Sequence, residues 1–127
     1  MTVFSDEEML AVISDFLEKG LAENIVAMYK KDPSLHRLTG GLLRDERFMV
    51  RMGAAILYEE LAAARPDETA LAVPALEPLL ADETAYVRGE ACNILGLIGT
   101  DEARTLLAGM ADDPDPQVRE IVADYLS

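Results

Sequence analysis

Apolar residues recur three and four positions apart along almost the whole chain, and no stretch alternates with period two for long. That pattern predicts helices rather than strands. Met9, Leu10, Ile13, Phe16 and Leu17 make one apolar face. Ser5-Asp6-Glu7-Glu8 precedes it as a capping box, the Ser5 hydroxyl accepting from a free amide while Glu8 reaches back. Gly20 is a natural stop, and a second helix runs from about Leu21 to Lys31, where Lys30 and Lys31 complement the negative end of the helix dipole. Asp32-Pro33-Ser34 turns the chain, since Pro33 has no amide to donate and suits a first helical position. Further helices are predicted over 34–44, 46–64, 67–81, 84–98, 101–111 and 115–126. The third is weakened by Gly40-Gly41, read as a flexible point, and the fifth, which holds Pro74 and Pro78, is expected to show a kink or a broken first turn. Turns of two to four residues leave room for little except antiparallel helical hairpins.

An internal repeat runs through the pattern. Asp45, Asp82 and Asp113 each precede an arginine by six residues, at Arg51, Arg88 and Arg119, and a valine sits before each arginine: Val50, Val87, Val118. Small residues follow at matched offsets, including Ala54, Ala91 and Val122. The spacing of roughly 30–40 residues is that of a stacked helical repeat, in which one helix pair cannot bury its apolar face alone. Each aspartate falls in a turn before a helix, where a carboxylate can cap amides and meet the favourable dipole end. Each arginine can bridge to that aspartate or to its counterpart in the neighbouring repeat. The set Asp45, Arg51, Asp82, Arg88, Asp113 and Arg119 therefore reads first as a structural ladder.

The run Val87-Arg88-Gly89-Glu90-Ala91-Cys92-Asn93-Ile94-Leu95-Gly96-Leu97-Ile98-Gly99 resembles the second helix of a HEAT-like repeat. The short type named after phycobilisome lyases, V-R-x-x-A-A-x-A-L-G-x-I-G, is the nearest pattern. The likeness is partial over 50–61, where Tyr58 and Glu59 stand in place of Leu-Gly, and over 118–126. The resemblance implies an all-α fold, a right-handed α-solenoid of about four antiparallel helix pairs in one domain over 1–127. Residues 1–31, which lack the Val-Arg pair, are expected to be a capping helix pair; 32–65, 66–99 and 100–127 are the repeats.

Composition narrows the function. With 11 basic and 24 acidic residues the formal charge is −13, which repels phosphate backbones and anionic lipid headgroups. Nucleic acid and membrane are not expected partners, and no stretch approaches the roughly 20 apolar residues that span a bilayer. Asp6, Glu7 and Glu8 stand where an export signal would be cationic, so a cytoplasmic protein is expected. The single cysteine, Cys92, excludes a disulfide framework and falls in the second Ala slot of the repeat, facing the core, where a thiol is inert. His36, the only histidine, precedes Arg37; the iron-binding HEAT hydroxylases use repeated His-Glu pairs, and none is present. His36 is read as a surface or helix-packing residue. Asp112, Asp113 and Asp115 lack the spacing of a calcium loop and read as turn and cap residues. Neighbouring Glu59 and Glu60 point about 100° apart on a helix and cannot share a proton. No catalytic residues, metal site or cofactor are expected.

In HEAT-like solenoids the second helices line a concave binding face. Carried over by position, its variable slots here are Met52, Ile56, Glu59 and Glu60, then Glu90, Asn93 and Leu97, then Glu120, Ile121 and Asp124. Five carboxylates beside four apolar residues suit a basic, amphipathic protein segment; the same residues would also serve as the solvated face of a stable solenoid. Apolar Ile121 and Tyr125 near the open end admit a homodimer through the C-terminal repeat. The expectation is thus a non-enzymatic protein-interaction module. The alternatives that the resemblance brings are a subunit of a bilin-lyase-like enzyme and a relative of HEAT-like DNA glycosylases, the latter at odds with an acidic groove.

Overall fold

The computed structural model describes residues 4–127, and among them the backbone is helical with no strand. Helix α1 (Asp6–Glu18) starts on the capping box: Ser5 Oγ accepts from the Glu8 amide at 3.1 Å and Glu8 Oε1 accepts from the Ser5 amide at 3.2 Å. Gly20, at φ +79°, ends it by the left-handed turn that glycine makes without strain. Helix α2 (Ala22–Lys31) follows, and Asp32 then caps a 3-10 helix, Pro33–Leu38, that runs into α3 (Thr39–Leu43). Helix α4 (Phe48–Ala64) is the longest.

The expected fifth helix is broken rather than kinked. It divides into α5 (Pro66–Thr69), a 3-10 turn over Ala70–Ala72, α6 (Val73–Leu76) and a second 3-10 segment, Glu77–Ala81. Pro66, Pro74 and Pro78 each sit in the first turn of one of these pieces, where a missing amide does least harm. Helix α7 (Ala85–Ile98) closes on Gly99 at φ +68°. Helix α8 (Asp101–Ala108) ends three residues earlier than the apolar pattern predicts, because the chain turns from Gly109 to reach Asp113-Pro114. Asp115 caps α9 (Pro116–Leu126) by accepting from the Gln117 and Val118 amides.

Packing runs in chain order: α1 and α2 lie on α4, α4 on α7, and α7 on α8 and α9. One apolar core extends from Ile13 to Ala103, and a smaller cluster of Cys92, Leu107, Val118 and Val122 closes the other end, with Leu80 against both. Glycines mark the closest approaches. A methyl group on Gly96 would enter the Tyr125 ring of α9, and Tyr125 completes that contact by donating to Asn93 Oδ1 at 2.6 Å. Gly40-Gly41, expected as a flexible point, is instead a packed contact: Gly40 abuts the Ala75 carbonyl and Gly41 the Leu10 side chain, whose methyls would have to shift to admit a β-carbon at Gly41.

The first helix pair is joined to the rest by a buried polar chain. Tyr29 Oη lies 3.0 Å from Thr39 Oγ1, which lies 2.7 Å from Tyr58 Oη, which lies 2.6 Å from His36 Nδ1. All four residues are buried, and the rings of Tyr29, His36 and Tyr58 meet edge to face. Burial pushes the His36 imidazole down to about 4, so it is neutral at pH 7 and can accept from Tyr58. In the tautomer whose Nδ1 carries no proton, Tyr58 donates to His36, Thr39 to Tyr58 and Tyr29 to Thr39, so each hydroxyl proton has an acceptor. No helix among the described residues is long and apolar enough to cross a membrane.

Candidate functional site

The repeated aspartates and arginines build one local device three times. In each, an aspartate Oδ1 accepts the amide two residues on: Arg47 at 2.9 Å from Asp45, Thr84 at 2.8 Å from Asp82, and Asp115 at 2.9 Å from Asp113. The arginine six residues on donates Nη1 back to the aspartate's main-chain carbonyl, at 2.8, 2.9 and 2.7 Å for Arg51, Arg88 and Arg119. Side chain and backbone thus lock the turn that leads into α4, α7 and α9. Each aspartate sits in the turn before its helix and accepts the amide of the residue that caps it.

Beyond the turn the three arginines differ. Arg88 reaches the next repeat and holds Asp113 with Nε at 2.9 Å and Nη2 at 3.1 Å. Among the described residues Arg51 makes no such pair. Its guanidinium carbon lies over the Tyr86 ring, 4.1 Å from the centroid, with Phe48 at 5.7 Å, and Asp82 is taken instead by Arg44 at 3.3 Å. Asp45 is paired by Arg47, which also reaches Asp15 and Glu18 of α1, each at 3.2 Å.

Five of the ten expected face residues line two clefts, and Glu59 and Asp124 are exposed outside them. Met52, Ile56 and Glu60 of α4 line a cleft of about 240 Å³ facing the α1–α2 turn, together with Leu21, Glu23 and Met49. Leu21, Met49, Met52 and Ile56 are all exposed here, an uncommon concentration of large apolar side chains in water. Glu90 and Ile121 line a smaller cleft of about 110 Å³ between α7 and α9, beside Tyr86 and Gln117. Asn93 is engaged by Tyr125, whose phenol is raised by burial first and then by the charges of Glu59 and Asp124. Leu97 packs on the main core and Ile121 on the smaller cluster, so both are half-buried rather than free. Glu120 is exposed outside both clefts.

Sequence patterning missed Leu21, Phe48, Met49 and Tyr86. A signal existed: Met49, Met52 and Ile56 continue the helical spacing of α4 on the side away from its buried residues, making that helix apolar nearly all round. Titration behaviour singles out few groups. Burial raises the Glu90 carboxyl, with Arg51 pulling it back down, and pushes the Cys92 thiol up to about 11. Cys92 is fully buried in the smaller cluster, an environment that keeps it a thiol. Among the described residues no cluster of His, Cys, Asp and Glu could hold a metal ion.

Comparison with known proteins agrees with the repeated device. A family model described as HEAT repeats matches residues 42–127, which begin just ahead of the first Asp–Arg turn. A search of curated proteins returned no match, and neither did a search of solved structures.

Proposed function

Because the chain belongs to the HEAT-repeat family, we propose that it is a non-enzymatic interaction module that binds a basic, amphipathic helix of another protein. In this reading the helices form a right-handed solenoid of four antiparallel pairs, with α2, α4, α7 and α9 side by side on the concave face. The observation that carries it is the cleft between the α1–α2 turn and α4. Four exposed apolar side chains, Leu21, Met49, Met52 and Ile56, are edged there by the carboxylates of Glu23 and Glu60. Apolar anchors with acidic edges select a partner with an apolar stripe flanked by lysine or arginine. A helix suits this face better than an extended strand. Helices spend their own backbone groups internally, so the face offers no edge with which a strand could pair.

The test is charge reversal in two places. A fluorescent 18-residue helix of alternating leucine and lysine faces is titrated with the protein, with Glu23→Lys/Glu60→Lys, and with Asp67→Lys/Glu77→Lys, which changes the net charge equally away from the cleft. Helicity is followed by circular dichroism. Binding at least tenfold weaker in the cleft variant alone supports the reading; equal losses in both variants reduce it to bulk electrostatic attraction and overturn it.

A further inference from the structure

Arg51 and Arg88 occupy the same place in successive repeats, and comparing them shows what Arg51 lacks. Each spends Nη1 on its turn: Arg88 on the Asp82 and Glu83 carbonyls at 2.9 and 3.2 Å, Arg51 on the Asp45 and Glu46 carbonyls at 2.8 and 3.0 Å. Arg88 then closes its Nε–Nη2 edge on the Asp113 carboxylate. For Arg51 the carboxylate in the matching position, Asp82, is held by Arg44. Among the described residues the Nε–Nη2 edge of Arg51 meets no acceptor. The side chain is nonetheless fixed, by two carbonyls and by the Tyr86 ring beneath it. Tyr86 and Phe48 beside it are both exposed, although a ladder residue needs no aromatic platform in water.

We propose that Arg51 is a specificity-determining residue of the binding face, and that its open edge takes the carboxylate of a glutamate or aspartate on the docking helix. The Arg88–Asp113 pair inside the same molecule is the template for that contact. The inference rests on the proposed function and deepens it: the partner carries apolar anchors, bases toward Glu23 and Glu60, and one acid toward Arg51. A carboxylate fits better than a phosphate. A planar, singly charged group matches the two-pronged edge, whereas Glu90, half-buried nearby, and the overall acidity of the chain repel a more highly charged anion. Ordering costs on binding are small, because the guanidinium is already held in place.

The intact protein is panned against a displayed library of 18-residue helix-forming peptides, and recovered sequences are synthesised for affinity measurement. The expected binders hold an Asp or Glu whose replacement by Asn or Gln weakens binding at least tenfold. That loss should vanish in Arg51→Gln, and Arg51→Lys, which keeps the cation without the fork, should restore little of the affinity. Thermal unfolding of both variants separates loss of binding from loss of fold, and Arg51→Lys keeps the test open if Arg51→Gln does not fold. Peptides without an acid, or an acid whose removal costs as much in Arg51→Lys as in the wild type, overturn the role of Arg51. Binding that depends on Arg51 but survives Glu23→Lys/Glu60→Lys overturns the acidic-cleft reading instead. A library that yields no binder to the wild type overturns both.

Discussion

Arg88 of α7 grips Asp113, the turn aspartate of the following repeat, through two nitrogens at 2.9 and 3.1 Å, and only 3% of the Asp113 side chain is exposed. One residue pair thus joins two turns, because each partner also shapes the loop it comes from.

That double duty allows the ion pair to be tested apart from the turn. Asp113→Asn keeps an oxygen for the Asp115 amide but removes the charge facing Arg88. We expect the melting temperature to fall by about 5 °C at pH 7. Asp82→Asn, whose partner Arg44 is half exposed, should cost clearly less. Arg88 holds the Asp113 carboxyl below the usual range. Its contribution is therefore full above about pH 4 and is lost as the pH falls through the lower folded value, so the wild type and Asp113→Asn should converge in acid.

His36 gives the opposite half of the acid response. Protonating its ring forces Tyr58 to accept rather than donate; the chain of hydroxyls then reverses, and the Tyr29 proton is left without an acceptor. The folded imidazole titrates near 4 and the unfolded one near 6.5. Its contribution is complete above about pH 6.5 and disappears as the pH drops toward 4, a loss of about 3 kcal/mol. Urea unfolding at pH 7.5 and 5.0 should show stability falling more steeply in the wild type than in His36→Gln; equal slopes would refute the assignment.

Gly96 sets the spacing of α7 and α9. Gly96→Ala drives a methyl group into the Tyr125 ring and should cost about 1–3 kcal/mol in denaturant unfolding. The same change in a Tyr125→Ser background should cost much less, since the obstructing ring is gone.

Cys92 should not react with a thiol reagent at pH 7 in the folded protein and should react fully in guanidinium. Its complete burial and a thiol pushed up to about 11 both act against attack. Rapid reaction in the native state would place the thiol at the surface.

The repeat was legible because it is local. Asp and Arg six residues apart make a turn whose chemistry repeats wherever the pair does, and Pro74 and Pro78 announce a broken helix by lacking amides. What escaped depends on residues outside the period. Tyr29, His36, Thr39 and Tyr58 meet only after α2, the 3-10 segment, α3 and α4 have packed. Likewise Arg44 lies outside the repeated motif, so nothing in the spacing foretold that it would claim Asp82 and leave Arg51 to Tyr86. Position in the repeat could not tell half-buried Leu97 and Ile121 from exposed Met49 and Tyr86, because exposure depends on how neighbouring helices pack.

The small cluster of Cys92, Leu107, Val118 and Val122 gives the molecule a soft end and a hard end. Opening α8 and α9 disrupts that cluster, the Ala103 edge of the main core and the Tyr125–Asn93 bond, whereas opening α4 breaks the centre of the long core and the buried hydroxyl chain together. Amide protons of α9 are therefore expected to exchange with solvent faster than those of α4, which hydrogen-exchange measurement would check.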